Sequence, residues 1–203
     1  MATLVSESAE VERQLWTDID FLEWLEPGKH ADLIDGEKFM HSPVALVHAD
    51  LLNFLDRLLA SYLERAGLGG RLYREVVAVR LSTRNVFLPD LAWFSEAQVP
   101  RLGESHAPFA PVWVCEALSP RTADRDVGPK FAAYEEHDVR EYWVLDPQTA
   151  AHRFYALEGE VLTEFAHGEE WIASREIAGF RVRRTWLNAR PHPPIADCLR
   201  EIS

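Results

Sequence analysis

Across residues 12–26 the apolar positions Leu15, Ile19, Leu22 and Leu25 recur at helical intervals with acids between them, and Pro27-Gly28 closes the run. A first helix is predicted there. Residues 30–41 read as two short strands around Asp35-Gly36, a hairpin signature. Ser42-Pro43 then opens a long amphipathic helix to about residue 65. Its apolar side carries Leu51, Leu52, Leu55, Leu58, Leu59, Tyr62 and Leu63, and Gly67, Gly69 and Gly70 stop it. Three strand-like runs follow, at 72–81, 86–94 and 112–118. The first alternates and reads as half-exposed; the last is nearly continuous and reads as central. Residues 95–110 form a loop rich in turn residues.

Pro129 constrains the next helix. With Asp126 as its N-cap the proline falls in the first turn, where its missing N–H has no intrahelical acceptor anyway, so a helix over 127–137 is expected. Residues 141–146 are another buried strand, closed by Asp146-Pro147. A hairpin (151–157 and 161–166, around Glu158-Gly159) and a strand near 180–184 complete the chain. Strand, helix and strand at 112–118, 127–137 and 141–146 imply a right-handed crossover between parallel strands, with antiparallel neighbours before them. The expected class is α/β (α+β): a mixed central sheet flanked by helices, with a β-rich C-terminal extension. One domain spans 1–203, divided into an N-terminal helix and hairpin (1–41), a core (42–147), the β-rich extension (148–187) and a tail (188–203).

Composition narrows the class. Hydrophobic residues make up 47% of the chain, with seven Trp and ten Phe, which suits a packed core. No apolar run reaches membrane-spanning length, so no membrane partner is expected. The opening MATLVSESAEVERQ lacks the basic flank and apolar stretch of a secretory signal, and Cys115 and Cys198 make no disulfide framework. A reducing cytoplasm is the expected location. The net charge of −12 speaks against indiscriminate nucleic-acid binding. Its distribution is uneven, however. Arg175, Arg181, Arg183, Arg184 and Arg190 face only Glu176 across residues 175–190, which reads either as a locally basic surface or as scattered solvated arginines.

Candidate chemistry centres on Pro111-Val-Trp-Val-Cys-Glu-Ala-Leu-Ser-Pro120. In a strand, Trp113 and Cys115 point one way, Val114 and Glu116 the other. An acid set among such neighbours loses solvation and needs a partner. Asp90, in Phe87-Leu-Pro-Asp90, and Lys130 are the candidates. Two converging carboxylates make an oxygen-rich site suited to Mg²⁺ or Mn²⁺, and an ammonium beside them can orient a water and offset developing charge. With eighteen Arg and three Lys in the chain, a lysine at 130 runs against the composition. Each residue also has an ordinary reading. Pro-Asp can be a strand entry, Asp126 and Lys130 an i,i+4 surface pair, and Glu116 satisfied by a backbone group or Arg121. His48 faces the cleft or caps its helix; Asp126 binds metal or water or caps; Tyr134 braces Lys130 or fills the core. No His/Cys grouping supports zinc, and Ser119 has no nucleophile-elbow setting.

The segments GEKFMHSPVALVHADLLNFL, FLPDLAWF and VWVCEALSPRTADRDVGPKFAAYEEHDVREYWVLDP, with the β-rich tail, resemble the Uma-two family over about residues 30–187. That family belongs to the large nuclease superfamily named for its Pro-Asp…(Asp/Glu)-X-Lys motif. The resemblance implies a restriction-endonuclease-like core and metal-dependent cleavage of phosphodiester bonds in DNA. It carries metal-ligand roles onto Asp90 and Glu116, the lysine role onto Lys130, and a place in the metal shell onto Glu37, for which a surface hairpin acid is the alternative. A homodimer or higher homo-oligomer is expected from the class, since cutting a duplex needs two sites. Leu118 stands where the superfamily has its lysine, so the lysine is relocated to the following helix; Asp138 stands where the family has Gly. Two rivals accompany the DNA endonuclease: a catalytically silent binding or assembly module, and a metal-dependent phosphoesterase acting on RNA or a small substrate.

Overall fold

The computed structural model describes residues 15–75, 77–120 and 123–202. Helix α1 (Asp18–Trp24) starts at a capping box: the Thr17 hydroxyl accepts from Asp20 N, and Asp20 answers at Thr17 N. It is shorter than expected, and residues 12–14 lie outside the described residues. Its buried anchor is Phe21, while Leu15 and Ile19 are exposed. The hairpin β1 (Ala31–Ile34) and β2 (Glu37–Met40) turns through Asp35 and Gly36, whose φ values of 51° and 83° are those of a primed turn. Helix α2 (Leu46–Ala66) begins four residues after Ser42, with no side-chain cap at Ala45, and ends in left-handed Gly67.

The strands that follow are β3 (Arg71–Arg74), β4 (Ala78–Arg80), β5 (Val86–Phe87), β6 (Leu91–Phe94) and β7 (His106–Ala107), with a 3₁₀ turn at Val99–Arg101. Two of the expected strands therefore each divide in two. Run 72–81 breaks after β3, where Glu75 takes a positive φ of 52°; run 86–94 breaks at Leu88-Pro89-Asp90, where proline offers no N–H to a ladder. The first half of one and the second half of the other join a large sheet; the remaining halves join a small one. Asp90 consequently stands at the passage between sheets, one residue ahead of β6.

Next come β8 (Trp113–Ala117), α3 (Ala123–Asp126), α4 (Pro129–Glu136) and β9 (Glu141–Leu145). Here the expected N-cap is corrected. Gly128 caps α4, Pro129 sits in its first position, and Asp126 ends the separate short helix α3 with its side chain buried. Strands β10 (Arg153–Glu158), β11 (Val161–Phe165), β12 (Trp171–Ala173) and β13 (Arg181–Arg183) lead to α5 (Arg184–Asn188) and α6 (Ile195–Ile202). The stretch read as a tail thus ends in a helix, whose Cys198 and Ile202 are buried in the main core.

The large sheet runs β11-β10-β9-β8-β6-β3, and β8 and β9 pair in parallel as the crossover requires. β6 is antiparallel to β8, with Leu91 opposite Cys115. The small sheet runs β2-β1-β5-β4-β7. Helix α2 packs Leu51, Leu52, Leu55, Leu58 and Leu59 on the face carrying Trp113, Cys115 and Trp143. The opposite face carries Val114, Tyr142 and Val144, which meet Tyr134 of α4 and Ile34 of β1. Glu116 falls on this second side, so the site lies between the large sheet, α4 and the hairpin.

The arginines of residues 175–190 are engaged by the protein. Arg184 donates to the carbonyls of His152, Ala166 and Glu169; Arg190 donates to those of Leu187 and Ala189. Arg181 and Arg183 lie over Trp171 at 4.3 and 4.6 Å, and Arg183 pairs with Glu201 at 2.7 Å. Their guanidinium groups fasten the C-terminal region to itself.

His152 makes a pH prediction. It is buried, with Nδ1 accepting from Asp146 N at 3.1 Å and Nε2 donating to Asn188 Oδ1 at 2.9 Å. Burial holds its imidazole down at about 4 against an ordinary 6.5; Arg184 and Arg190 push the same way and the Asn188 bond opposes. Between these values the unfolded chain binds a proton that the folded chain refuses, so this contribution is intact above pH 6.5 and is lost as pH falls toward 4. Urea unfolding should show stability falling over that window by on the order of 3 kcal/mol from this group, and His152→Gln should flatten the slope.

Candidate active site

Side chains from β8, the Asp90 passage, α4 and the first turn of α2 converge at the end of β8. Alternation puts Glu116 on the α4 side of β8, 3% exposed. The β6–β8 register sets Asp90 next to it: Asp90 N donates to Glu116 Oε2 at 3.3 Å, and Ala117 N donates to Asp90 Oδ2 at 2.7 Å. Because α4 starts at Pro129, Lys130 falls in its first turn. Its Nζ stands 2.5 Å from Glu116 Oε1, 3.3 Å from Asp32 Oδ2 and 3.5 Å from Asp126 Oδ1. One turn later the Tyr134 hydroxyl donates to Glu116 Oε1 at 3.0 Å. From the first turn of α2, His48 Nε2 donates to Ala117 O at 2.8 Å and lies 3.6 Å from Asp90 Oδ2.

Asp90, Glu116, Lys130, His48 and Asp126 line one cavity of about 480 Å³, walled on its apolar side by Pro43, Val44, Leu118 and Pro147. The structure thus brings together the three residues singled out from the sequence, and adds two of the auxiliary ones as lining. Tyr134 joins through Glu116. Glu37 does not line the cavity; it pairs with Ile34 at the start of β2. The hairpin acid that does reach the site is Asp32 of β1. It was missed, although it carried the signal that exposed Glu116, one carboxylate in an apolar strand (Ala31-Asp32-Leu33-Ile34). His41 comes with it, its Nε2 3.1 Å from Asp32 Oδ2. Arg121, the other partner considered for Glu116, lies outside the described residues.

The electrostatics follow from four carboxylates (Asp32, Asp90, Glu116 and Asp126) around one buried ammonium. Burial pushes Glu116 well above the usual carboxylate range; Asp90, Asp126 and Asp32 push the same way and Lys130 opposes. Burial works against Asp32 too, but Lys130 and His41 outweigh it and hold that carboxyl at about 2. For Lys130 burial alone would favour the neutral amine; Asp32, Glu116 and Asp126 overcome it and keep the ammonium far above its ordinary range. The Tyr134 hydroxyl is raised by burial and by Glu116, so it stays a donor.

Among the described residues no three His, Cys, Asp or Glu side chains cluster as an all-protein metal cage. The donor set nevertheless suits a hard divalent ion. Asp90 and Glu116 line the same cavity and are joined through Asp90 N, Cys115 points to the other face, and the carboxylates outnumber the cations. Mg²⁺ is commonly held by one or two carboxylates with water completing its shell. Burial first, and the neighbouring carboxylates after it, give Glu116 a tendency to take up a proton.

Residues 18–188 match the sequence pattern of the Uma2 family, described as "Putative restriction endonuclease". With most of its length matched, the chain belongs to that family. Among solved structures it is similar to a protein described as "a putative nuclease belonging to DUF820" from Anabaena variabilis, with a TM-score of 0.65 at 17% identity over 92% of this chain and 99% of the other. At that identity the likeness establishes the fold, a mixed α/β arrangement shared with that structure. Among curated proteins none matches.

Removing the ammonium should be costly. Lys130→Met leaves three buried carboxylates without their shared cation, and a loss of about 3–5 kcal/mol is expected in urea unfolding at neutral pH. The loss should shrink as pH falls, because Glu116 then takes a proton in place of its ion pair. A loss below about 1 kcal/mol would show that the cage is not formed.

Proposed function

We propose that the protein is a metal-dependent endonuclease that hydrolyses phosphodiester bonds in DNA, using Mg²⁺ or Mn²⁺ held by Asp90 and Glu116. The observation that carries this reading is the contact of Lys130 Nζ with Glu116 beside Asp90, two acids and an amine from separate elements in one cavity. It agrees with the family to which the chain belongs. The ion would polarise a phosphoryl oxygen and acidify a water. Lys130, charged across the working pH range, orients the attacking water and offsets charge gathering on the phosphoryl oxygens. Tyr134 fixes Glu116 Oε1, so the other oxygen of that carboxylate stays turned toward Asp90. His48 ties the Asp90 side chain and the end of β8 to α2. Pro43, Val44 and Pro147 form the apolar part of the cavity's rim. Duplex cleavage would be carried out by a homodimer or higher homo-oligomer in the cytoplasm.

The acidic chain and the internal engagement of the 175–190 arginines favour a second reading, a metal-dependent phosphoesterase on RNA or a small substrate. One experiment separates the two. Supercoiled plasmid, linear duplex and single-stranded RNA are incubated with the protein, with and without Mn²⁺, alongside calorimetric Mn²⁺ titration. Metal-dependent DNA cleavage is expected, with Mn²⁺ binding lost in Asp90→Asn and the rate reduced about 10²–10³-fold in Lys130→Gln. Cleavage of RNA alone would favour the second reading. Wild-type protein that binds no Mn²⁺ would leave a silent binding module.

A further inference from the structure

Asp32 divides its carboxylate between two parts of the site. Oδ1 accepts from the backbone N of Leu88 at 2.8 Å, two residues ahead of Asp90 in the passage between the sheets. Oδ2 accepts from Lys130 Nζ at 3.3 Å and stands 3.1 Å from His41 Nε2. The side chain is 6% exposed and lines the same cavity. One rigid group thus ties the segment that presents Asp90 to the helix that presents the ammonium. The need for such a tie follows from where the lysine sits. A lysine two residues along β8 would be placed by the strand itself, but Leu118 occupies that position. Lys130 instead reaches in from α4 on a flexible four-carbon stem, with a separate element needed to fix its head.

We propose that Asp32 is a positioning residue that sets the Lys130 ammonium relative to Asp90 through this paired hold. The hairpin β1–β2 is then part of the active-site machinery and not an appendage to it. The inference rests on the nuclease reading only for what the ammonium does once placed.

Asp32→Asn tests it with little change of shape. If the Asn oxygen keeps the Leu88 bond, its NH₂ faces two donors, Lys130 and His41; if it flips, Leu88 N loses its acceptor. The first readout is NMR of the lysine ammonium groups, tractable because the chain has three lysines, with Lys29 and Lys38 as internal references. Burial should protect the wild-type Lys130 signal from exchange; it is expected to shift or broaden in Asp32→Asn and to persist in Asp32→Glu, which keeps the charge. The second is cleavage kinetics. Asp32→Asn should lower kcat about 10²-fold, the scale of a misplaced catalytic group, with KM and Mn²⁺ affinity close to wild type and partial rescue in Asp32→Glu.

An unchanged Lys130 signal in Asp32→Asn would overturn the proposal. So would equal behaviour of the Asn and Glu variants, or loss of Mn²⁺ affinity in step with kcat, which would make Asp32 a metal ligand or a general prop. If the wild type cleaves nothing, the nuclease reading fails, and the ammonium signals still decide whether Asp32 places Lys130.

Discussion

The Lys130 ammonium, almost wholly removed from water and shared by Glu116, Asp32 and Asp126, is the contact around which the rest is arranged. Each partner comes from a different element: β8, the N-terminal hairpin and the short helix α3. An amine can be buried only where such partners compensate its lost hydration, and carboxylates only where a cation does the same. The requirement is mutual, so hairpin, sheet and crossover helix are held to one relative placement. Ion pairs of this kind add little to net stability compared with apolar packing. What the cage provides is a fixed location for its charges.

Much of this was legible in the sequence because burial leaves plain marks. The spacing of leucines over 51–63 identified α2, and two apolar strands separated by a helix identified the parallel pair β8 and β9. An acid inside an apolar run identified Glu116. The divided strands were not legible, because each half of 72–81 and of 86–94 keeps a strand-like pattern whichever sheet it joins. Only Glu75 and Pro89 mark the breaks, and a single positive φ cannot be read from a glutamate. Gly128 took the cap expected of Asp126 because a Cβ there would stand 2.6 Å from the Asp124 carbonyl oxygen, and the aspartate side chain faces the lysine. Asp32 was passed over beside a conspicuous turn. Ile195, Cys198, Leu199 and Ile202 carry a helical stripe, but so short a helix is stable mainly through its packing on α2.

Fold and activity rest on separate grounds here. Likeness to a solved structure at 17% identity fixes the architecture, and architecture alone supports many chemistries. The chemistry comes from the side chains, and the acidic cavity poses a question for any phosphate substrate. A divalent ion held by Asp90 and Glu116, as proposed, would answer it, since a bound cation can be the largest local charge in a site and invert the potential a phosphate meets. The same ion would relieve the carboxylate repulsion that adds to burial in raising Glu116.

The most direct test is anomalous scattering from crystals of the protein grown with Mn²⁺. One strong peak is expected within coordination distance of both the Asp90 and Glu116 carboxylates, with Lys130 beside it. A fully occupied peak elsewhere, or none under conditions where Mn²⁺ binds in solution, would contradict it.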